Sequence, residues 1–268
     1  MATKISVINL CSELKTSNRK TSVINEINTV FFSNEHLGLM GRNGSGKTSF
    51  IRLLGGLEKP SAGKIMKSSL SCRIMLMLQR AEDQFIRGTV GEQIHSYSSK
   101  SRDAEEIHNL MKQVGLPEFL GRQSPARLST GQQRLVAIAC ALATDAEMII
   151  LDEPMAGLDA SGRRLVRNAL LQMRNFHDLG WIIVSHHPDD LLGIVERLWV
   201  LDDGKLLHDG AFDSTPVNIL NKCLSSNDPS IYRTLRKLEE TGVIFNVSPY
   251  GSQDAEKIAH ILENSNIK

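Results

Sequence analysis

The chain has 268 residues, 41% hydrophobic and 23% charged, a globular balance that excludes disorder and suits one large domain or one domain with an appendage. Its 31 Lys and Arg residues against 30 Asp and Glu leave a net charge of +1, without the basic excess of a protein that binds nucleic acid by neutralising phosphates. The apolar runs, such as Met148-Ile149-Ile150-Leu151, fall far short of the ~20 residues of a bilayer-crossing helix, and the first residues carry no apolar signal core, so neither a span nor a secretory leader is expected.

The first strong element is a strand at 36–40, apolar and followed at once by Gly41-Arg42-Asn43-Gly44-Ser45-Gly46-Lys47-Thr48. An apolar helix follows through Ser49 with Phe50, Ile51, Leu53 and Leu54. Strand, glycine-rich loop and helix in this order make a P-loop. Glycines let backbone N–H groups close around phosphate oxygens, and the helix N-terminus adds a positive dipole. Lys47 is expected to reach the β- and γ-phosphates of a nucleotide, and Thr48 to offer its hydroxyl to Mg²⁺.

Next, Ile107, Leu110, Met111 and Val114 repeat at helical spacing, and Leu128-Ser129-Thr130-Gly131-Gln132 opens a second helix through Leu135, Val136, Ile138 and Ala139. A strand at 147–151 ends in Asp152-Glu153. Its apolar residues bury it, so Asp152 is expected at the carboxyl end, holding Mg²⁺ through water, and Glu153 beside it to orient or deprotonate the water that attacks the γ-phosphate. Leu165, Val166, Ala169, Leu170 and Met173 predict a helix, and 181–184 a third buried strand. Residues 197–201 and 205–208 flank Asp202-Asp203-Gly204, a hairpin signal. The segment 213–227 is polar and reads as a linker. Helices are expected from Asp228-Pro229, burying Ile231, Leu235 and Leu238, and near 254–263 with Ile258, Ile261 and Leu262. Cys11, Cys72, Cys140 and Cys223 lie apart with no metal-ligand spacing and read as reduced thiols of a cytoplasmic protein.

Leu128-Ser129-Thr130-Gly131-Gln132, standing between the P-loop and Asp152-Glu153, resembles the signature motif of the ATP-binding cassette (ABC) family. In the same order, Gln79 is similar to the family's Q-loop glutamine, Ala156-Gly157-Leu158-Asp159 to its D-loop, and His186 to its switch histidine. Read alone, His186-His187 is an ordinary loop pair; the ordered set of motifs gives it a role. The resemblance implies an α/β P-loop NTPase fold. An ABC ATPase domain would cover 1–212, with a helical signature subdomain at about 80–140, before a short, mainly helical C-terminal extension over 213–268. It also implies ATP and Mg²⁺ as cofactors, with Gln79 joining Thr48 and Asp152 at the metal. A second ABC ATPase would pair head to tail, as a homo- or heterodimer, so that Ser129, Gly131 and Gln132 close the partner's P-loop and Asp159 senses the other site. His186 would hold the γ-phosphate and the attacking water.

A narrower resemblance lies in Gln79-Arg80-Ala81-Glu82-Asp83-Gln84-Phe85, followed by Thr89-Val90-Gly91-Glu92. This stretch, with the C-terminal extension, is similar to energy-coupling-factor transporter ATPases, which power uptake of vitamins and of cobalt or nickel ions. The resemblance implies a transmembrane coupling subunit and a substrate-binding membrane subunit as partners, at the cytoplasmic face of the membrane and with no nucleic acid. Glu82 and Asp83 would receive arginines of the coupling helices. The alternatives are the ATPase of a conventional ABC importer, a soluble cassette ATPase acting on DNA or ribosomes, and a non-hydrolysing half of a heterodimer. Three departures stand out. Thr130 replaces the signature's first glycine; Leu135 stands where an arginine is usual, with Arg134 one position earlier; and no Phe, Tyr or Trp occurs between Met1 and Val30 to stack on adenine. Aliphatic groups and cations such as Arg19 are expected to handle the base instead.

Overall fold

The computed structural model describes residues 2–16, 19–78, 85, 88–98, 102–174, 178–212, 215 and 219, with the backbone alone at 14–16 and 19–20. Among the described residues, nine strands, β1 (Lys4–Thr16), β2 (Arg19–Phe32), β3 (His36–Gly41), β4 (Ala62–Lys67), β5 (Ile74–Met77), β6 (Met148–Asp152), β7 (Gly180–Val184), β8 (Arg197–Asp202) and β9 (Lys205–Ala211), form two sheets. The described α-helices are α1 (Lys47–Leu54), α2 (Val90–Ser96), α3 (Ala104–Gln113), α4 (Thr130–Ala143) and α5 (Ala160–Met173).

The larger sheet runs β5-β6-β7-β3-β8-β9 and is parallel except for the β8–β9 hairpin. Its middle strands read as unbroken apolar runs because both faces are covered. Along β6 the side chains alternate: Ile149 and Leu151 pack with α4 and α5, while Met148 and Ile150 pack with α1 and the second sheet. The expected strands at 36–40, 147–151 and 181–184 are β3, β6 and β7 within one residue at each end. Asp203 (φ 46°) and Gly204 (φ 74°), both left-handed, make the tight turn between β8 and β9, and β9 runs on to Ala211.

The second sheet, β2-β1-β4, is antiparallel and was not expected from the sequence. It buries Ile5, Val7 and Leu10 of β1 against Ile24, Ile27 and Phe31 of β2. In α3 the expected stripe holds, with Leu110, Met111 and Val114 buried; Asp103 caps it through the Glu106 N–H. In α5 the stripe is Val166, Ala169, Leu170 and Met173, a strict i, i+3, i+4, i+7 set. Leu165, at its edge, is 39% exposed and does not belong to the core face. The expected helices from Asp228 and over 254–263 lie outside the described residues, as does all of the 213–227 segment except 215 and 219.

Candidate functional site

β3 lies between β7 and β8 at the centre of the parallel sheet, and its carboxyl end delivers the chain into the glycine loop. Gly41 is needed there for want of space: a Cβ would stand 2.3 Å from the Leu201 carbonyl oxygen and 2.5 Å from Ser45 Oγ. Gly46, at φ 101°, supplies the left-handed step into α1, whose first turn has no side-chain cap. The helix therefore presents open N–H groups and the positive end of its dipole to the loop. Buried Phe50, Ile51, Leu53 and Leu54 lock the helix beneath.

Lys47 is buried at the head of α1, and its Nζ donates to the carbonyl oxygens of Gly41 (2.8 Å) and Arg42 (3.0 Å). Arg42, Asn43, Gly44 and Thr48 are exposed, and Ser49 is half-buried. Asp152, at the end of β6, is buried at 7% exposure. Burial, followed by the adjacent Glu153 charge, pushes its carboxyl up to about 6, against the pull of Lys47 and His186.

Glu153 takes a left-handed backbone (φ 49°), held by its N–H donating to the Val184 carbonyl at 3.1 Å. That conformation is uncommon for a residue with a side chain and clusters at functional sites. His186 follows β7, with Nε2 against Glu153 Oε1 and Nδ1 3.3 Å from the Gly41 carbonyl oxygen. Burial alone would raise the Glu153 carboxyl; the His186 hydrogen bond and charge, with Lys47 nearby, outweigh it and hold the group below its ordinary value.

Lys47, Thr48, Glu153 and His186 line a cavity of about 790 Å³, and Asp152 is not among its lining residues. Asn43, Gly44, Gly46, Lys47, Thr48, Ser49, Glu153 and His186 form one part of its lining, while Thr21, Ser22 and Val23 of β2 and the Asp203-Gly204 turn form the rest. The loop and this turn are joined: Gly204 N–H donates to the Ser45 carbonyl at 3.0 Å, and Asn25 N–H to the Gly204 carbonyl at 2.9 Å. Thr21, Ser22, Val23 and Asp203 were missed by sequence reasoning. The Asp-Gly turn was visible as a turn, but nothing local placed it beside the glycine loop.

Ser129, Gly131, Gln132 and Asp159 do not line this cavity. Ser129 caps α4, accepting from the Gln132 N–H (3.3 Å) while Gln132 Oε1 accepts from the Ser129 N–H (3.0 Å). Asp159 caps α5, accepting from the Gly162 N–H at 2.7 Å; that bond, with Ser161, holds its carboxyl below the usual range. The two helix N-termini meet at Gly131 and Gly162, and Ser129, Thr130 and Asp159 are exposed beside them. Arg134 and Leu135 are buried within α4. Gln79, Glu82, Asp83 and the Arg19 side chain lie outside the described residues.

The donors suit a hard cation: the Thr48 hydroxyl and the Asp152 carboxylate are oxygen ligands, the set Mg²⁺ prefers. Among the described residues no three or more His, Cys, Asp or Glu side chains gather to hold a metal. A cation here would depend on substrate phosphate oxygens and waters, as Mg²⁺ at nucleotide sites does.

The ABC transporter family profile matches residues 24–156. An energy-coupling factor transporter ATP-binding protein EcfA2 of Clostridium perfringens is 30% identical over 99% of this chain and 100% of its own length. Another EcfA2, of Leuconostoc mesenteroides, is 32% identical over 75% of this chain and 76% of its own. Among solved structures, cbiO1 of Clostridium perfringens, part of the ABC transporter complex cbiONQ, superposes with a TM-score of 0.71 at 22% identity, covering 97% of this chain and 98% of that one. The dimeric cassette MJ0796, in a post-hydrolysis state bound to ADP and Pi, superposes at 0.67 and 22% identity, covering 78% and 98%.

Proposed function

The chain belongs to the ABC transporter ATP-binding family, in its energy-coupling factor branch, and from that premise we propose that it binds and hydrolyses ATP to power a membrane uptake transporter for a vitamin or a transition-metal ion. One observation carries the reading. The glycine loop, Glu153 and His186 line one cavity, while Ser129 and Asp159 are exposed and do not line it. A second ATPase domain docked head to tail would bring its own Ser129 end to this cavity, so each site is half-built by one chain.

The phosphates bind to the N–H groups of residues 43–48 and the dipole of α1. Lys47 exchanges the carbonyls of Gly41 and Arg42 for phosphate oxygens. Thr48 and Asp152 would hold Mg²⁺, with Gln79, and when bound it would supply charge neutralisation for the phosphates. Glu153 accepts a proton from the attacking water as its oxygen bonds to the γ-phosphorus and the bond to the leaving ADP oxygen breaks. His186, anchored on Gly41 and Glu153, holds the γ-phosphate and that water in line. Residues 213–268 form the proposed C-terminal helical extension.

Among the described residues no helix is long and apolar enough to cross a membrane. In the proposed transporter, coupling goes through separate membrane subunits at the cytoplasmic face. Affinity purification of the full chain from detergent-solubilised membranes tests this. A transmembrane subunit and a small substrate-binding membrane protein should accompany it, and ATP hydrolysis should follow the complex. Recovery with ribosomes or DNA instead would overturn the transporter reading.

A further inference from the structure

Behind the Glu153–His186 pair lies a second cavity of about 150 Å³, which shares those two residues as a wall with the nucleotide cavity. Its other side is made by Gly157 of the loop before α5, by Arg163 on α5, and by Ser185 and Asp190 from the segment after β7. Asp190 is 8% exposed, and a carboxylate that deep requires partners. Its Oδ2 accepts from Ser185 Oγ at 2.9 Å and lies 3.6 Å from an Arg163 guanidinium nitrogen.

Ser185 is the neighbour of His186 and is pinned from three sides. Its N–H donates to the Leu39 carbonyl at 3.1 Å, and its Oγ accepts the His187 N–H at 3.0 Å. The hydroxyl has one hydrogen, and the Asp190 carboxylate at 2.9 Å takes it in preference to the His187 carbonyl at 3.2 Å. The backbone on both sides of His186 is thus set by a bond that ends on Asp190. One turn further along α5, Arg167 donates to the Asp189 carbonyl at 2.9 Å, a second clamp from the same helix on the same segment. Neither Arg163 nor Asp190 lines the nucleotide cavity.

We propose that Asp190 is a positioning residue for hydrolysis: through Ser185 it fixes His186 against Glu153, and through Arg163 it ties that arrangement to α5 and the Asp159 loop at its head. The inference rests on the reading of Glu153 and His186 as the hydrolytic pair. It gives a physical route between the two halves of a dimer. A partner pressing on the exposed Asp159 loop moves the N-terminus of α5, and Arg163, one turn in, carries the displacement to Asp190 and the His186 loop.

The test uses the full chain in its membrane-subunit complex and compares Asp190→Asn, Arg163→Gln, the double variant and Glu153→Gln. Asp190→Asn keeps an acceptor for Ser185 but loses the charge facing Arg163. Each single change should lower kcat about tenfold while the ATP dissociation constant, read by titration, moves less than about twofold. The double variant should fall no further than the worse single, the signature of one shared interaction. Parent kcat in both singles, losses that multiply, or ATP affinity lost in step with kcat would each overturn the proposal, the last by making the contact merely structural. Glu153→Gln separates the two levels. If it is inactive while Asp190→Asn and Arg163→Gln run at the parent rate, the positioning inference alone fails; if it keeps the parent rate, the hydrolytic reading fails and takes the inference with it.

Discussion

Glu153 and His186, 33 positions apart in sequence, meet across the carboxyl ends of β6 and β7, and the other nitrogen of the same imidazole faces the Gly41 carbonyl at the head of the glycine loop. The pair therefore joins three neighbouring strands of the parallel sheet at the point where a γ-phosphate would arrive. Both ring nitrogens face acceptors, which leaves His186 little freedom to turn.

Replacing Glu153 with Gln removes the proton acceptor but keeps the side chain's shape. Hydrolysis should slow by about 10²–10⁴-fold. ATP binding should persist, because Lys47, Thr48 and Asp152 are untouched, and the variant should collect as an ATP-bound dimer. Steady-state phosphate release and gel filtration with ATP measure the two effects; hydrolysis at the parent rate would remove Glu153 from the role of base.

Gly131 has a reason to be glycine inside its own chain. A Cβ there would lie 3.0 Å from the Gly162 Cα, backbone against backbone, where α4 crosses α5. Gly131→Val should push the two helix N-termini apart and destabilise the fold by about 1–3 kcal/mol, the usual result of overpacking. The glycine loop is separate from this crossing, so nucleotide affinity of the free subunit should stay near parent. Thermal unfolding and nucleotide titration check the two halves; a stable variant would leave Gly131 explained by the partner's nucleotide alone.

The parallel sheet was legible because β3, β6 and β7 are buried on both faces and read as unbroken apolar runs. β1 and β2 were not, because left-handed residues at Asn9 (φ 46°) and Glu26 (φ 49°) break their alternation. Buried positions step by three from Val7 to Leu10 and from Ile24 to Ile27, and where they do alternate, polar Thr3 and Thr29 lie inside while apolar Ile8, Val30 and Phe32 lie outside, so the chemical pattern hides the period of two. At the site, the loop and the Asp152-Glu153 pair declare themselves by local spacing. Ser22 and Asp203 reach the cavity only by tertiary contact, through bonds such as Asn25 N–H to Gly204, which no local pattern reports.

Asp209 of β9 is the most heavily bonded carboxylate described outside the site. It accepts from Arg197 Nε (2.6 Å), a second Arg197 nitrogen (2.9 Å), Trp199 Nε1 (2.9 Å) and Thr29 Oγ1 of β2 (2.7 Å), joining the two sheets. Burial would raise its pKa, but the Arg197 and Thr29 hydrogen bonds outweigh it and hold the carboxyl below the ordinary value. A depressed folded-state pKa gives stability that is present above the ordinary carboxylate value and is lost as pH falls through the folded one. Asp209→Ala should therefore lower stability by about 2–3 kcal/mol at pH 7, on the scale of hydrogen bonds to a charged group. The gap between parent and variant should narrow below about pH 4. Denaturant midpoints at the two pH values decide it; a gap independent of pH would mean that shape rather than charge matters at Asp209.

The part of the cavity away from the phosphate loop carries Thr21, Ser22, Val23 and Asp203, and none of its described lining residues is aromatic. Stacking on an aromatic ring contributes about 1–3 kcal/mol per base in nucleic-acid binders, and no described lining residue supplies it. Asp203 offers only acceptor oxygens, to which the exocyclic amine of adenine or of guanine can donate, so it does not by itself require adenine. Most affinity must then come from the phosphates, which ATP and GTP share. Their dissociation constants should differ by less than about tenfold, or 1.4 kcal/mol. An added ring should show what is absent. Thr21 is exposed at the cavity rim, and Thr21→Tyr should tighten both nucleotides together, by about fivefold if stacking reaches the lower end of that range. Calorimetric titration of parent and variant with each nucleotide measures both claims. A parent that favours ATP by much more than tenfold would mean that a specific group reads the base, and a Thr21→Tyr variant with unchanged affinities would place the base away from β2.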